Sequence, residues 1–106
     1  MAIKKQHAGF VPAEVFPPGD FIRAELAARG KTQADLARVL GRPLQTVNQI
    51  INGRKAITPQ TALELSQAFG TSPELWLNLE AAYRLAHARL KVDPAIGRRA
   101  RAMAFA

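Results

Sequence analysis

The apolar positions of this chain recur at helical spacing, and no run of β-branched residues alternates as a strand would. Leu36, Ala37 and Leu40 share one face of a segment that opens at Thr32, whose hydroxyl can cap the free N–H groups of a first turn. Val47, Ile50 and Ile51 share one face of the next segment, which closes at Asn52-Gly53. Between them Gly41 suits the left-handed end of a helix, and Pro43 suits the first turn of the helix that follows. The pattern predicts two short helices with a sharp corner. Ahead of them, Phe21, Ile22 and Leu26 predict a helix from about Pro18 to Arg29 with that face buried, ended by Gly30. Behind them, Thr58-Pro59 opens a helix carrying Ala62, Leu63, Leu65, Ala68 and Phe69, and Ser72-Pro73 opens one reaching about Leu90.

The polar positions are as informative. At 100° per residue, and with Val47 as origin, Gln45 and Gln49 fall at roughly 160° and 200°, opposite the apolar face. Asn52 lies close by, and Thr46 and Asn48 flank the pair. A solvated helix face more often carries Glu and Lys. This one is uncharged and rich in amides, which can hydrogen-bond the edge of a base pair. On the helix opening at Ser72, apolar residues from Leu75 through Trp76, Leu79, Ala82, Tyr83, Leu85, Ala86 and Leu90 fill about half the circumference, more than one buried side needs. Leu77 falls outside that arc, near Glu80 and Arg84. One edge of the arc can cover the chain's own core. The other can cover a second subunit, with Trp76, Leu79 and Tyr83 as interface candidates, or be covered by the arm or the tail.

Charge sharpens this picture. The 106 residues carry a formal charge of +7 and no cysteine, with 48% hydrophobic residues, enough for one core. The excess is uneven. Residues 31–57 carry five Lys/Arg against one acid, residues 91–106 four against one, and residues 58–90 two against three. The main excess therefore coincides with the amide face, a division of labour that suits DNA: cations for phosphates, amides for bases. Leu44, Gln45, Thr46, Asn48 and Gln49 are the base-reading candidates. Gln33, Arg42, Asn52, Arg54 and Lys55 are the phosphate candidates.

The stretch from Gln33 to Asn52, with small Ala37, corner Gly41 and buried Val47 and Ile50, resembles the phage-repressor type of helix-turn-helix. Pro17-Pro18-Gly19-Asp20, the run Asn52-Gly53-Arg54-Lys55-Ala56-Ile57-Thr58-Pro59 and the run Gly70-Thr71-Ser72-Pro73-Glu74-Leu75-Trp76-Leu77-Asn78-Leu79 are more specific. Together they resemble the HigA family of antitoxins, over roughly Pro17 to Leu85. The resemblance implies a dimer that binds an operator with an inverted repeat, represses its own operon and neutralises a HigB-type ribonuclease toxin. Arg42-Pro43-Leu44 departs from relatives of the fold, many of which carry a Ser or Thr cap there. Leu44 can accordingly touch a thymine methyl or only pack.

The expectation is an all-α fold: a five-helix, phage-repressor-like helix-turn-helix domain over residues 18–90, with an extended N-terminal arm over 1–17 and a basic C-terminal tail over 91–106. Phe10, Val11, Val15 and Phe16 make the arm too apolar for a free tail, and they are the candidate toxin-binding residues; packing over the chain's own helices is the competing role. The tail is expected as a short weak helix or disorder. His7 and His87 have no carboxylate at metal-ligand spacing, and no Gly-rich phosphate loop or nucleophile motif is present. A binding protein without cofactor or metal is expected rather than an enzyme. No apolar stretch is long enough to span a membrane, so a cytoplasmic protein is expected. A free-standing regulator of the same fold without a toxin is the alternative, and an interaction module with a basic surface for RNA or an acidic protein is a third reading.

Overall fold

The computed structural model describes residues 16–105 and places six helices among them: α1 (Pro18–Arg29), α2 (Gln33–Leu40), α3 (Leu44–Ile51), α4 (Pro59–Phe69), α5 (Pro73–Ala88) and α6 (Ala95–Ala102). Their starts follow local chemistry. Thr32 accepts the Asp35 N–H, and the Asp35 carboxylate accepts the Thr32 N–H, a reciprocal cap on α2. Thr58 and Ser72 cap α4 and α5 through the N–H groups of Thr61 and Leu75, each with a proline in the first turn. Pro43 stands at the cap position of α3, one residue before the expected place, and α3 has no side-chain cap. Gly41 makes the α2–α3 corner at φ 70°, a backbone that costs a side-chain-bearing residue.

The core joins α1 to α5. Ile22, Leu26, Leu36, Ala37, Val47, Ile50, Ile51, Ile57, Ala62, Leu65, Phe69 and Trp76 form one buried cluster, with Leu40, Ala68, Leu77 and Leu79 packed against it. Trp76 is 1% exposed; its indole N–H donates to Thr71 Oγ1 at 2.7 Å, so its one polar atom stays satisfied. Arg29 stacks over Phe69 at 5.3 Å and donates to the Phe69 carbonyl at 3.0 Å, tying the end of α1 to the end of α4. The first turn of α1 lies directly on the end of α3. A Cβ added to Gly19 would stand 1.7 Å from the Ile51 carbonyl oxygen, so only glycine permits this approach.

Four expectations change. Phe21 is not on the buried face of α1 and Leu63 is exposed, because Ile22 with Leu26, and Ala62 with Leu65 and Phe69, already fill the space below those helices. On α5 the buried face is turned toward Glu80. That glutamate is buried, neutralised by Arg84 at 2.6 Å, and Leu77 joins the core while Leu75 and Leu85 stay exposed. The tail forms α6, the short helix that is one of the two states expected for it; its first turn is fixed by the Asp93 carboxylate accepting the Ala95 N–H at 2.9 Å, and none of its residues is buried. The helix count is therefore six where five were expected. Phe10, Val11 and Val15 of the expected arm lie outside the described residues.

Candidate nucleic-acid interface

Burial of Val47, Ile50 and Ile51, each at most 4% exposed, fixes the rotation of α3. That rotation exposes Gln45 and Asn48 and leaves Thr46 and Gln49 half-buried beside them. Leu44, at the exposed start of α3, is half uncovered and packs in no core cluster. The uncharged amide face thus stands outward, on a helix held by three apolar anchors.

Four side-chain hydrogen bonds link this face to its neighbours. Asn48 Nδ2 donates to Gln33 Oε1 of α2 at 3.2 Å, and Asn52 Nδ2 donates to Asn48 Oδ1 at 3.0 Å. Arg23 of α1 donates through Nη2 to Asn52 Oδ1 at 2.6 Å and through Nη1 to Asp20 Oδ1 at 3.0 Å. Three helices therefore meet in one hydrogen-bonded row along the edge of α3.

The cations sort into two kinds. Arg54 and Lys55 are exposed, and among the described residues neither has a carboxylate within ion-pair distance. Their backbone N–H groups both bond the Gln49 carbonyl, at 2.8 and 3.1 Å, which folds the loop against the end of α3. Arg84 of α5 steadies the same loop by donating to the Gly53 carbonyl at 3.0 Å. Arg42, one of the phosphate candidates, is held in an ion pair. Its guanidinium makes a two-pronged pair with Glu64 of α4 at 2.8 and 3.0 Å, so its donors face α4 and its charge is neutralised. That pairing, with a further bond from Gln60, holds the Glu64 carboxyl below the usual glutamate range. The Thr32 cap likewise lowers the carboxyl of Asp35, chiefly through the Thr32 backbone N–H and then its hydroxyl.

Other candidates divide in the same way. Trp76 belongs to its own protomer's core and has no surface to offer a second subunit. Leu79 and Tyr83 are half-buried. The uncovered apolar positions of α5 include Leu75, Ala82 and Leu85, which share one side of the helix. Phe16 is exposed at the start of α1, and with Asp20, Phe21 and Ala24 it lines a shallow apolar depression. No group of His, Cys or acidic residues able to hold a metal occurs among the described residues. Sequence reasoning missed Gly19, Arg23, Glu80 and Arg84 as supports of the site. The spacings Asp20 to Arg23 and Glu80 to Arg84 are pair signals within one helix face, but the long-range partners, Asn52 and the Gly53 carbonyl, leave no mark on local sequence.

The helix-turn-helix family matches residues 22–76, the stretch that carries the whole corner. The uncharacterized HTH-type transcriptional regulator YddM of Escherichia coli strain K12 is 37% identical over 76 residues, 72% of this chain and 81% of YddM. An addiction module antidote protein of a HigA family from Coxiella burnetii has a similar structure, with TM-score 0.68 and 37% identity over 81% of this chain and 90% of that one. The Pseudomonas aeruginosa antitoxin HigA, solved with the higBA promoter, has TM-score 0.69 and 31% identity over 76% of this chain and 98% of its own.

Proposed function

This chain belongs to the HigA family of helix-turn-helix antitoxins, and we propose that it binds its own operator as a dimer, represses the operon and neutralises a HigB-type ribonuclease toxin. The observation that carries the DNA part is the outward amide face of α3, locked by Val47, Ile50 and Ile51 and flanked by the exposed cations Arg54 and Lys55, which have no ion-pair partner among the described residues. The face has the width of one helix, which the major groove admits. Gln45 and Gln49 read bases, with Thr46 and Leu44 beside them. Gln33, Arg54 and Lys55 contact phosphates. The protein acts in the cytoplasm and by binding rather than catalysis.

One helix-turn-helix makes few contacts, and the uncovered stripe Leu75, Ala82 and Leu85 on α5 supplies a second subunit's seat, with Leu79 and Tyr83 at its margin. Two-fold pairing then matches an inverted repeat with half-sites one helical turn or a multiple apart. The toxin part rests on family membership. Its seat is the arm together with Phe16 and Phe21. Phe21 and Arg23 lie roughly 200° apart around α1, so this patch faces away from the α3 edge and the two roles coexist.

The test removes residues 1–16 and measures operator binding, thermal stability and rescue of cells expressing the neighbouring toxin frame. Loss of rescue with DNA binding and stability intact supports the arm as the toxin seat. Retained rescue eliminates that seat. Failure of the intact chain to bind DNA upstream of its own frame overturns the repressor role.

A further inference from the structure

The row of side chains along α3 has a direction, and Arg23 sets it. A guanidinium can only donate, so the end of Asn52 that it meets must be the carbonyl oxygen. The Asn52 amide nitrogen then faces Asn48 and must find an oxygen there; the Asn48 nitrogen in turn faces Gln33 and must find an oxygen there. Each amide is oriented by the one before it. The row ends on the Gln33 Nε2 group, which keeps its donors for whatever lies in front of α2. We propose that Arg23 is a positioning residue for DNA binding: through Asn52 and Asn48 it fixes Gln33 with its donor end toward a phosphate and holds Asn48 away from independent base reading. This rests on the repressor reading above.

The alternative orientation shows why direction matters. Without a donor-only group at the head of the row, all three amides can turn over together and still bond one another. Gln33 would then present its carbonyl oxygen to the DNA, and an oxygen facing a phosphate oxygen repels. Asp20 keeps the guanidinium of Arg23 in place at 3.0 Å and offsets its charge, so Arg23 acts as a reference for the row rather than as a free cation. The row is exposed in the free protein, where water competes with every bond. DNA seated on α3 covers it and excludes that water, which strengthens the bonds when they are needed.

The experiment is a double-mutant cycle on operator affinity between Asn52→Leu, which interrupts the row without adding charge and leaves the Arg23–Asp20 pair intact, and Gln33→Ala. Each single change is expected to weaken binding roughly two- to tenfold, the worth of one ordinary hydrogen bond, and the double variant no further than the worse single. Arg23→Lys, which still only donates, is expected to retain wild-type affinity, whereas Arg23→Ala loses as much as Gln33→Ala. Independent, multiplying losses for Asn52→Leu and Gln33→Ala overturn the proposal, as does an Arg23→Ala variant that is folded and binds normally. Side-chain amide NMR signals of the free protein give a reading that needs neither DNA nor a stable variant. Slower hydrogen exchange of the Asn48 and Asn52 NH2 groups than of the Gln45 NH2 group is expected, and equal exchange at the three in the wild type overturns the row whatever becomes of the repressor assignment.

Discussion

Gln45 and Gln49 are the residues on which the proposed sequence discrimination should rest, because Gln45 is exposed on α3 with Gln49 half-buried beside it, and among the described residues neither side chain is bonded to a neighbour. Gln45→Ala or Gln49→Ala should cost roughly 1–3 kcal/mol on the operator and far less on random DNA. A binding titration against both DNAs checks this; equal losses on the two would remove them as readers. Arg42 and Glu64 illustrate a charge pair given to structure instead. The Glu64 carboxyl is held below the glutamate value of 4.5, first by its bond from Arg42. A carboxyl depressed in the folded state contributes stability that is present above its unfolded pKa and lost as pH falls through the folded value. The stability gap between wild type and Glu64→Gln should therefore be full near neutral pH and close progressively below about pH 4.5. Denaturant melts at several pH values measure it; a gap independent of pH would mean the pair does not form. The Thr32 cap lowers the Asp35 carboxyl alike in both proteins, so the difference between them isolates Glu64.

At the scale of elements, the recognition helix is held by what touches its two ends. Its start hangs from the Gly41 corner, and its end lies under the first turn of α1. Gly19→Ala drives a methyl into the Ile51 carbonyl, a backbone atom that cannot step aside alone. The change should destabilise by ~1–3 kcal/mol, as overpacking does, and should weaken operator binding beyond what lost stability explains, because α1 carries Arg23 away from Asn52 as it retreats. Thermal melts read beside DNA titrations separate the two effects. A Gly19→Ala protein with wild-type stability would show that the two helices are less tightly seated than 1.7 Å implies.

At the scale of the molecule, the question is which surfaces remain for a second subunit. Turning α5 toward Glu80 takes Trp76 out of consideration and leaves Leu85, 51% exposed, near the middle of an uncovered apolar stripe. Leu85→Glu should convert the proposed dimer to a monomer at micromolar concentration without unfolding it, and should reduce operator affinity while a half-site still binds. Sedimentation equilibrium tests the first point. A wild type that is itself monomeric would refute the dimer, and an unaffected variant would move the interface elsewhere.

Helix starts, the corner and the outward amides were legible in the sequence because each is decided within a turn or two of chain. Thr32, Thr58 and Ser72 cap the N–H groups three residues on, Gly41 answers a local backbone demand, and the spacing of Val47, Ile50 and Ile51 turns Gln45 outward with Gln49 half-buried at the margin of that face. Long charged side chains are different, since several partners lie within their reach and only the fold selects one. Arg42 sits among the cations of the interface in sequence, yet α4 brings Glu64 to it across 22 positions. Arg23 looks like an ordinary surface residue of α1 until Asn52, 29 positions away, is placed beside it. The face that α5 buries was settled likewise. Apolar spacing alone centred it away from Glu80, whereas the Glu80–Arg84 pair, anchored on the Gly53 carbonyl, made a buried carboxylate tolerable and turned the helix to that side.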